Sequence, residues 1–451
     1  EWLQQPDLAS TWPAVVAAHL HRLNVPHKLV PGPLTGSNRV LYRHQRQPLV
    51  SIIVPCRNQL EALSRLVERL LQKTAYSHYE LLVVDNGSDD IRMCHYLDGL
   101  DALPSEQIRV LRDSRPFNGS AMNNLAAKYA GGEYLVLLDP CMQILDPAWL
   151  EAMLQHAQRP EVGAVGAKLY ATNGRLLHAG LILGQGQMSR AAFAGLSADA
   201  SGYMHRLQFD QNYSAVSGAC LLVRAELYHQ LGGQDEKEIT AAYSDVDLCL
   251  NLQQAGYLVV WTPHAHLLLA SQGEPGFEST AEQADRMQVE QDIMYRRWMP
   301  YLAADPAYNR NLSLTEASFD LDPYRHIAWQ PFVEKPLPRM VCHASDHYGC
   351  GHYRVRQPFL SMHREGLIDG TVTDSLLRPV TLARFEADTI VMQRQHTDPQ
   401  REVMRSYLKY SKAFKVYELD DYMVNLPMKS VHRSEIPRDM RRQLREAVAM
   451  A

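Results

Sequence analysis

A chain of 451 residues, 46% hydrophobic and 21% charged, can bury two or three cores, since domains commonly run to about 100–200 residues. Its net charge of -5 and isoelectric point near 6.5 argue against nucleic acid as a partner, because nucleic-acid binders cluster Lys and Arg. Seven scattered cysteines without a metal-spaced CxxC pair suit reduced thiols in a cytoplasmic protein rather than a disulfide framework.

Residues 1–48 open on a helical stretch, Trp12 to Leu23, and run into the basic segment Arg43-His44-Gln45-Arg46. They read as a leader that packs on the first domain. Leu49 to Val54 is a short β-branched run that stops at Pro55. Leu60 to Gln72 carries Leu63, Leu66, Val67, Leu70 and Leu71 at helical period. Glu80 to Val84, Ile108 to Leu111 and Tyr134 to Leu138 read as strands, with a helix from Ser120 to Tyr129 before the last. Strands and helices alternating at this spacing predict an α/β fold with a parallel, doubly wound sheet.

Past Asp139, helices are expected at Pro147 to Gln158, Ala225 to Leu231 and Asp245 to Ala255, and strands at Val162 to Leu169, Ser217 to Arg224 and Tyr257 to Trp261. Residues 170–215 show no period and suit a long substrate-facing insertion. A helical region around Ala281 to Trp298 closes the unit, and the Pro-rich stretch 301–338 reads as a linker. A new α/β pattern starts at Met340 and gives a half-domain of Rossmann type over 339–451. The chain stops inside what reads as an unfinished helix from Pro437 onward, so a fragment of something longer is expected. Apolar runs fall far short of the roughly 20 residues of a membrane span, and the N-terminus lacks a signal-peptide pattern, so membrane contact is expected to be peripheral at most.

Acidic residues follow apolar segments three times, at Val83-Val84-Asp85-Asn86-Gly87-Ser88, Leu135-Val136-Leu137-Leu138-Asp139 and Tyr243-Ser244-Asp245-Val246-Asp247. In open α/β sheets ligands bind outside the carboxyl ends of the strands. Acids delivered there are expected to converge on one crevice.

The ordered set Val50-Ser51-Ile52-Ile53-Val54-Pro55-Cys56-Arg57-Asn58, Val83 to Ser88, Ser217-Gly218-Ala219-Cys220-Leu221-Leu222-Val223-Arg224, Gly232-Gly233-Gln234-Asp235-Glu236 and Asp245-Val246-Asp247-Leu248-Cys249-Leu250 resembles the family 2 inverting glycosyltransferases of GT-A fold. The match is closest to bacterial members that build O-antigen and related surface polysaccharides or glycosylate surface proteins. It implies a GT-A domain over 49–300, a nucleotide-sugar donor, and a glycan, lipid-linked glycan or protein acceptor. It gives nucleotide binding to Pro55, Arg57, Asn58, Asp85, Asn86 and Asp139, and the role of catalytic base to Asp245. An inverting transfer is one in-line displacement, so a carboxylate must take the proton of the attacking acceptor hydroxyl. His178, in Leu177-His178-Ala179-Gly180, matches a family segment on the acceptor side. Asp247, two residues beyond the base, points to another side of the helix and is read there as supporting structure.

The resemblance also implies a Mg²⁺ or Mn²⁺ site, and here the sequence departs from the pattern. Asp139 survives from the metal triplet, but Cys141 falls where the direct ligand belongs and Leu269 where a His follows the last strand. A neutral thiol is a poor ligand for a hard cation. Three readings stand: metal-independent transfer with Arg57, Arg115 or Arg190 offsetting phosphate charge; loss of catalysis with a binding or scaffolding role kept; or a shifted alignment in which Asp139 or His266 ligates after all.

In the C-terminal segment, His347-Tyr348-Gly349-Cys350-Gly351-His352-Tyr353-Arg354, with Val391-Met392-Gln393-Arg394 and Tyr417-Glu418-Leu419-Asp420-Asp421, resembles the start of a GT-B glycosyltransferase domain. The expected protein is thus a multidomain bacterial transferase, cytoplasmic or at the inner face of the membrane.

Overall fold

The computed structural model describes residues 6–186, 188–270, 280–315, 319–322, 337–420, 424 and 437–451. The chain divides into two compact units, Glu1–Ile182 with Ser189–Ile293, and Leu183–Met188 with Met294–Ala451.

In the first unit, α1 (Pro6–Arg22) precedes an antiparallel hairpin of β1 (His27–Pro31) and β2 (Asn38–Tyr42), registered His27 to Tyr42. The hairpin forms within the stretch read as a leader and sits on the body of the unit. The His44 ring bonds the Gln155 carbonyl at 2.9 Å, and the Arg159 guanidinium lies 4.6 Å from the Tyr42 ring centroid.

Then β3 (Val50–Cys56), α2 (Leu60–Lys73), β4 (Tyr79–Asp85), α3 (Ile91–Asp101), β5 (Ile108–Arg112), α4 (Gly119–Tyr129) and β6 (Tyr134–Leu138) alternate. Strands β6-β3-β4-β5 pair in parallel in that order. Helices cover such strands on both faces, which is why every residue of β4 and β6 is buried and the sequence there runs apolar without alternating. Helix α2 buries Leu63, Leu66, Val67 and Leu70 and leaves Leu71, at the margin of the stripe, exposed.

Beyond β6 the chain adds β7 (Met142–Ile144), α5 (Trp149–Ala157), β8 (Val162–Ala171), β9 (Leu176–His178), β10 (Leu181–Leu183), β11 (Ser189–Ala191), β12 (Gln211–Asn212), β13 (Cys220–Arg224), α6 (Ala225–Gln230), α7 (Ser244–Gln254), β14 (Leu258–Leu269) and α8 (Thr280–Ala303). Strand β13 inserts antiparallel between β6 and β8, and β14 runs parallel to β8. The sheet is therefore mixed, with its β6-β3-β4-β5 part parallel. Segment 170–215 contains short strands because pairings of two or three residues depend on distant partners and leave no local period.

In the second unit, β15 (Arg339–His343), α9 (Gln357–Arg364), β16 (Asp369–Thr373), α10 (Pro379–Phe385), β17 (Thr389–Gln393), α11 (Asp398–Tyr410), β18 (Phe414–Glu418) and α12 (Met440–Val448) build a parallel sheet of order β16-β15-β17-β18. Part of the stretch read as a linker packs inside this unit. Tyr308, Leu312 and Leu314 are buried, and Asp322 pairs with the buried Arg384 at 2.7 Å. Residues 323–336 and Asp421 lie outside the described residues. Among the described residues no helix is long and apolar enough to cross a membrane.

Candidate active site

Strand ends β3 and β6, the start of β13 and the start of α7 enclose a cleft of about 270 Å³ whose lining includes Pro55, Asp139, Gly218 and Asp245. Two long-range contacts assemble it. The Asp139 N–H donates to the Ala219 carbonyl at 3.0 Å, tying the end of β6 to the approach of β13. The next N–H upstream, that of Gly218, donates to Asp245 Oδ2 at 2.7 Å. Gly218 suits this approach, since a Cβ there would lie 3.1 Å from Asp245 Cβ.

Asp245 stands in the first turn of α7, where the helix dipole favours negative charge. Its Oδ1 accepts the Val246 N–H at 2.8 Å. Burial pushes its carboxyl above the usual carboxylate range, and the Gly218 and Val246 N–H groups act against that rise. The loop before it, residues 240–242, is held by Glu290 from α8. That carboxylate, 1% exposed, accepts the Thr240 N–H and hydroxyl and the Ala241 N–H on Oε1, and the Ala242 N–H at 2.7 Å on Oε2.

Burial likewise raises the Asp139 carboxyl, while the Cys141 N–H, at 2.7 Å, and the Cys141 thiol lower it. So Cys141, at the expected ligand position, serves as a hydrogen-bond partner of Asp139. Leu269 faces Met142 in register, and the Ala270 N–H donates to the Cys141 carbonyl. The strand end expected to supply a second ligand therefore does lie beside Cys141, but with an aliphatic side chain. His266 pairs with Lys168 in register and stacks on Tyr170 at 5.8 Å. Among the described residues, no group of three or more His, Cys, Asp and Glu could hold a metal ion. Divalent cations such as Mg²⁺ and Mn²⁺ want several oxygen ligands, and this donor set does not fit one.

Asp85 does not line the cleft. It is 4% exposed, and its carboxylate accepts the Ser88 hydroxyl at 2.5 Å and the Arg112 guanidinium at 3.0 Å. Asn86 donates to the Asp113 and Arg115 carbonyls, fixing the turn after β5. Asn58, at φ 53, bridges to Asp89 and Asp90 through its side chain. These groups order the rim beside Pro55. Arg57 makes no hydrogen bond or ion pair among the described residues, whereas Arg115 is engaged by Asp113 at 2.8 Å and Arg190 is exposed.

His178 and Asp247 are also absent from the lining. Burial drives the His178 ring down to about 4, so it is neutral at physiological pH; its Nε2 has no hydrogen-bond partner among the described residues. Asp247, 2% exposed, accepts from Asn251 one turn on and belongs to the inner face of α7.

The cleft also has members that the sequence did not single out. Gln59 and Asn123 line it, and each buries an amide oxygen without a hydrogen-bond partner among the described residues. Asn123 donates to Gln234 Oε1 at 2.9 Å. Gln59 follows Arg57-Asn58 directly and Gln234 falls within the Gly232-Gly233 motif, so both stood next to visible signals; Asn123 and Glu290 had none.

Residues 47–298 match the model of a family described as "Glycosyltransferase like family 2". The chain is 44% identical over 296 residues to the uncharacterized protein y4gI of Sinorhizobium fredii, covering 65% of this chain and 32% of that protein. It is 35% identical over 290 residues to the O-antigen biosynthesis protein RfbC of Myxococcus xanthus, covering 63% of this chain and 22% of that one. Thus it spans about a third of the first relative's length and about a fifth of the second's. A crystal structure of GalNAc-T7 with UDP, GalNAc and Mn²⁺ is similar at a TM-score of 0.47 and 14% identity, over 61% of this chain and 53% of that one.

Proposed function

The chain belongs to glycosyltransferase-like family 2, and on that premise we propose that it transfers a sugar from a nucleotide-sugar donor to a glycan, lipid-linked glycan or protein acceptor, with inversion at the anomeric carbon. The observation that carries this reading is the single cleft shared by Pro55, Asp139 and Asp245, with Asp245 oriented by two backbone N–H groups. Similarity to a protein named for O-antigen biosynthesis supports placing the reaction in bacterial surface-glycan assembly.

In this mechanism Asp245, in its carboxylate form, removes the acceptor hydroxyl proton as that oxygen attacks and the nucleoside diphosphate leaves on the opposite side. Its raised affinity for protons makes it a stronger base than an exposed aspartate. The amides of Gln59 and Asn123 offer acceptors to donor hydroxyls, and Arg57 offsets diphosphate charge without a bound cation. The Ser88-bonded Asp85 acts indirectly, by holding the turn beside the nucleotide.

Two expected results follow. A raised Asp245 pKa means that activity is present above it and lost as pH falls through it. The acidic limb of kcat/KM should therefore lie above the roughly 3.9 of an unperturbed aspartate; a flat profile down to that value would remove Asp245 as the base. In calorimetric titration, nucleotide sugars should bind equally well with and without Mn²⁺, since among the described residues no three candidate ligands gather to hold the cation. A strict Mn²⁺ requirement would overturn the metal-independent reading.

The paired losses at Cys141 and Leu269 also favour a second reading, a catalytically degenerate module that binds nucleotide or carbohydrate beside another transferase domain. The second unit, with its glycine-bearing turn after β15 and parallel sheet, supports the proposal that such a domain of GT-B type begins near residue 339.

A further inference from the structure

A second pocket of about 270 Å³ lies in the first unit and shares no lining residue with the cleft. The β1–β2 hairpin supplies one wall through Asn38, Arg39 and Tyr42; α5 supplies His156, and the β12 segment supplies Asp210 and Asn212.

Its polar groups are of both signs and incompletely used. Arg39 is half-buried and makes no hydrogen bond among the described residues, while the Asp210 and Asp146 carboxylates act on its charge. Asn38 and Asn212 likewise make no side-chain hydrogen bond among the described residues. Asp210 is met on one side by His156 Nε2 at 3.2 Å. Burial would raise the Asp210 carboxyl, but the His156 and Thr262 hydrogen bonds hold it down at about 2, so it stays anionic.

This combination selects a ligand class. A phosphate or carboxylate would compete with Asp210 for the Arg39 charge, and a cation would be repelled by Arg39 and the neighbouring Arg159. A vicinal diol meets neither penalty, because each hydroxyl accepts from a guanidinium or amide and donates to a carboxylate. Aromatic Tyr42 and Phe209 add apolar surface of the kind that covers a sugar ring, and the volume is at the small end of ligand sites.

We propose that this pocket is a second, non-catalytic saccharide site, taking a neutral sugar unit against Arg39, Asp210 and Asn212. Binding there does not depend on transfer at the cleft, so a chain inactive as a transferase can still show it.

The test is ligand-observed NMR on the whole chain with neutral methyl glycosides of glucose, galactose, mannose and N-acetylglucosamine, beside inorganic phosphate and methyl glucuronide. At least one neutral glycoside should bind saturably, and Arg39→Ala and Asn212→Ala should each weaken it by about tenfold, the worth of one or two hydrogen bonds. Asp245→Asn should leave it unchanged. Asn212 is exposed, so its variant keeps the experiment readable should Arg39→Ala fold poorly. The proposal is overturned if no neutral glycoside binds, if only phosphate or glucuronide binds, if folded pocket variants bind like the parent, or if Asp245→Asn abolishes the signal.

Discussion

Replacing Asp245 with Asn is expected to lower sugar-transfer turnover by about 10²–10⁴-fold, the usual worth of a positioned general base. The amide keeps the size of the side chain, and its oxygen can still accept one of the two N–H groups, from Gly218 or Val246, that now orient the carboxylate. It cannot take a proton. Folding should not suffer, because a buried carboxyl whose pKa lies above its unfolded value gains stability from protonation that is lost as pH rises through the folded pKa. At neutral pH the neutral amide avoids that ionisation cost. The decisive measurement is initial rate against donor concentration for both proteins, with their melting temperatures compared. Turnover within about threefold of the parent would exclude a base at this position, far below any general-base contribution, and would leave the binding-module reading in possession of the cleft.

Removing the Glu290 carboxylate should produce the largest loss of stability among single polar changes in the first unit. Four hydrogen bonds from residues 240–242 converge on it, three of them from the backbone N–H groups of a partly exposed loop onto a buried carboxylate. Hydrogen bonds to charged groups contribute about 1.5–3 kcal/mol each and do not add fully, so Glu290→Ala is expected to cost about 3–5 kcal/mol. The consequence reaches the cleft, because Ala241, Ser244 and Asp245, on this loop and the helix after it, line it. Glu290→Gln should cost less, since its amide oxygen can still serve Thr240 and Ala241 while its NH₂ meets the Ala242 donor. Denaturant titration measures the stability, and hydrogen exchange over residues 240–246 shows whether the loop has loosened. A loss below about 1 kcal/mol, the scale of one ordinary hydrogen bond, would mean that the carboxylate is not the anchor.

Much of the parallel part was legible because its signals are local. Tyr134 to Leu138 reads as a buried strand from composition alone and is one, and Leu63, Leu66, Val67 and Leu70 mark the buried face of α2. The β1–β2 hairpin was not legible, because Pro and polar residues interrupt it and its partner surface is on α5, more than a hundred residues on. Strand β14 extends to Leu269, eight residues past the expected end at Trp261. Its second half, beyond the register shift between Trp261 and His266, pairs with β7, and a pairing partner cannot be read from the strand's own residues.

The amino-acid order by itself pointed to Asp85, Asp139 and Asp245 where apolar segments meet a turn or a helix start of an α/β fold, because strand period, turn residues and helix starts are properties of neighbours in the chain. Only the tertiary structure decided what each acid does. Asp85 is taken up by Ser88 and Arg112, Asp139 by Cys141, and Asp245 by Gly218 from a turn 27 residues earlier. Whether a carboxylate is spent on its own loop or left facing a cavity depends on which distant donors the fold brings within hydrogen-bond reach, and local pattern carries no record of them.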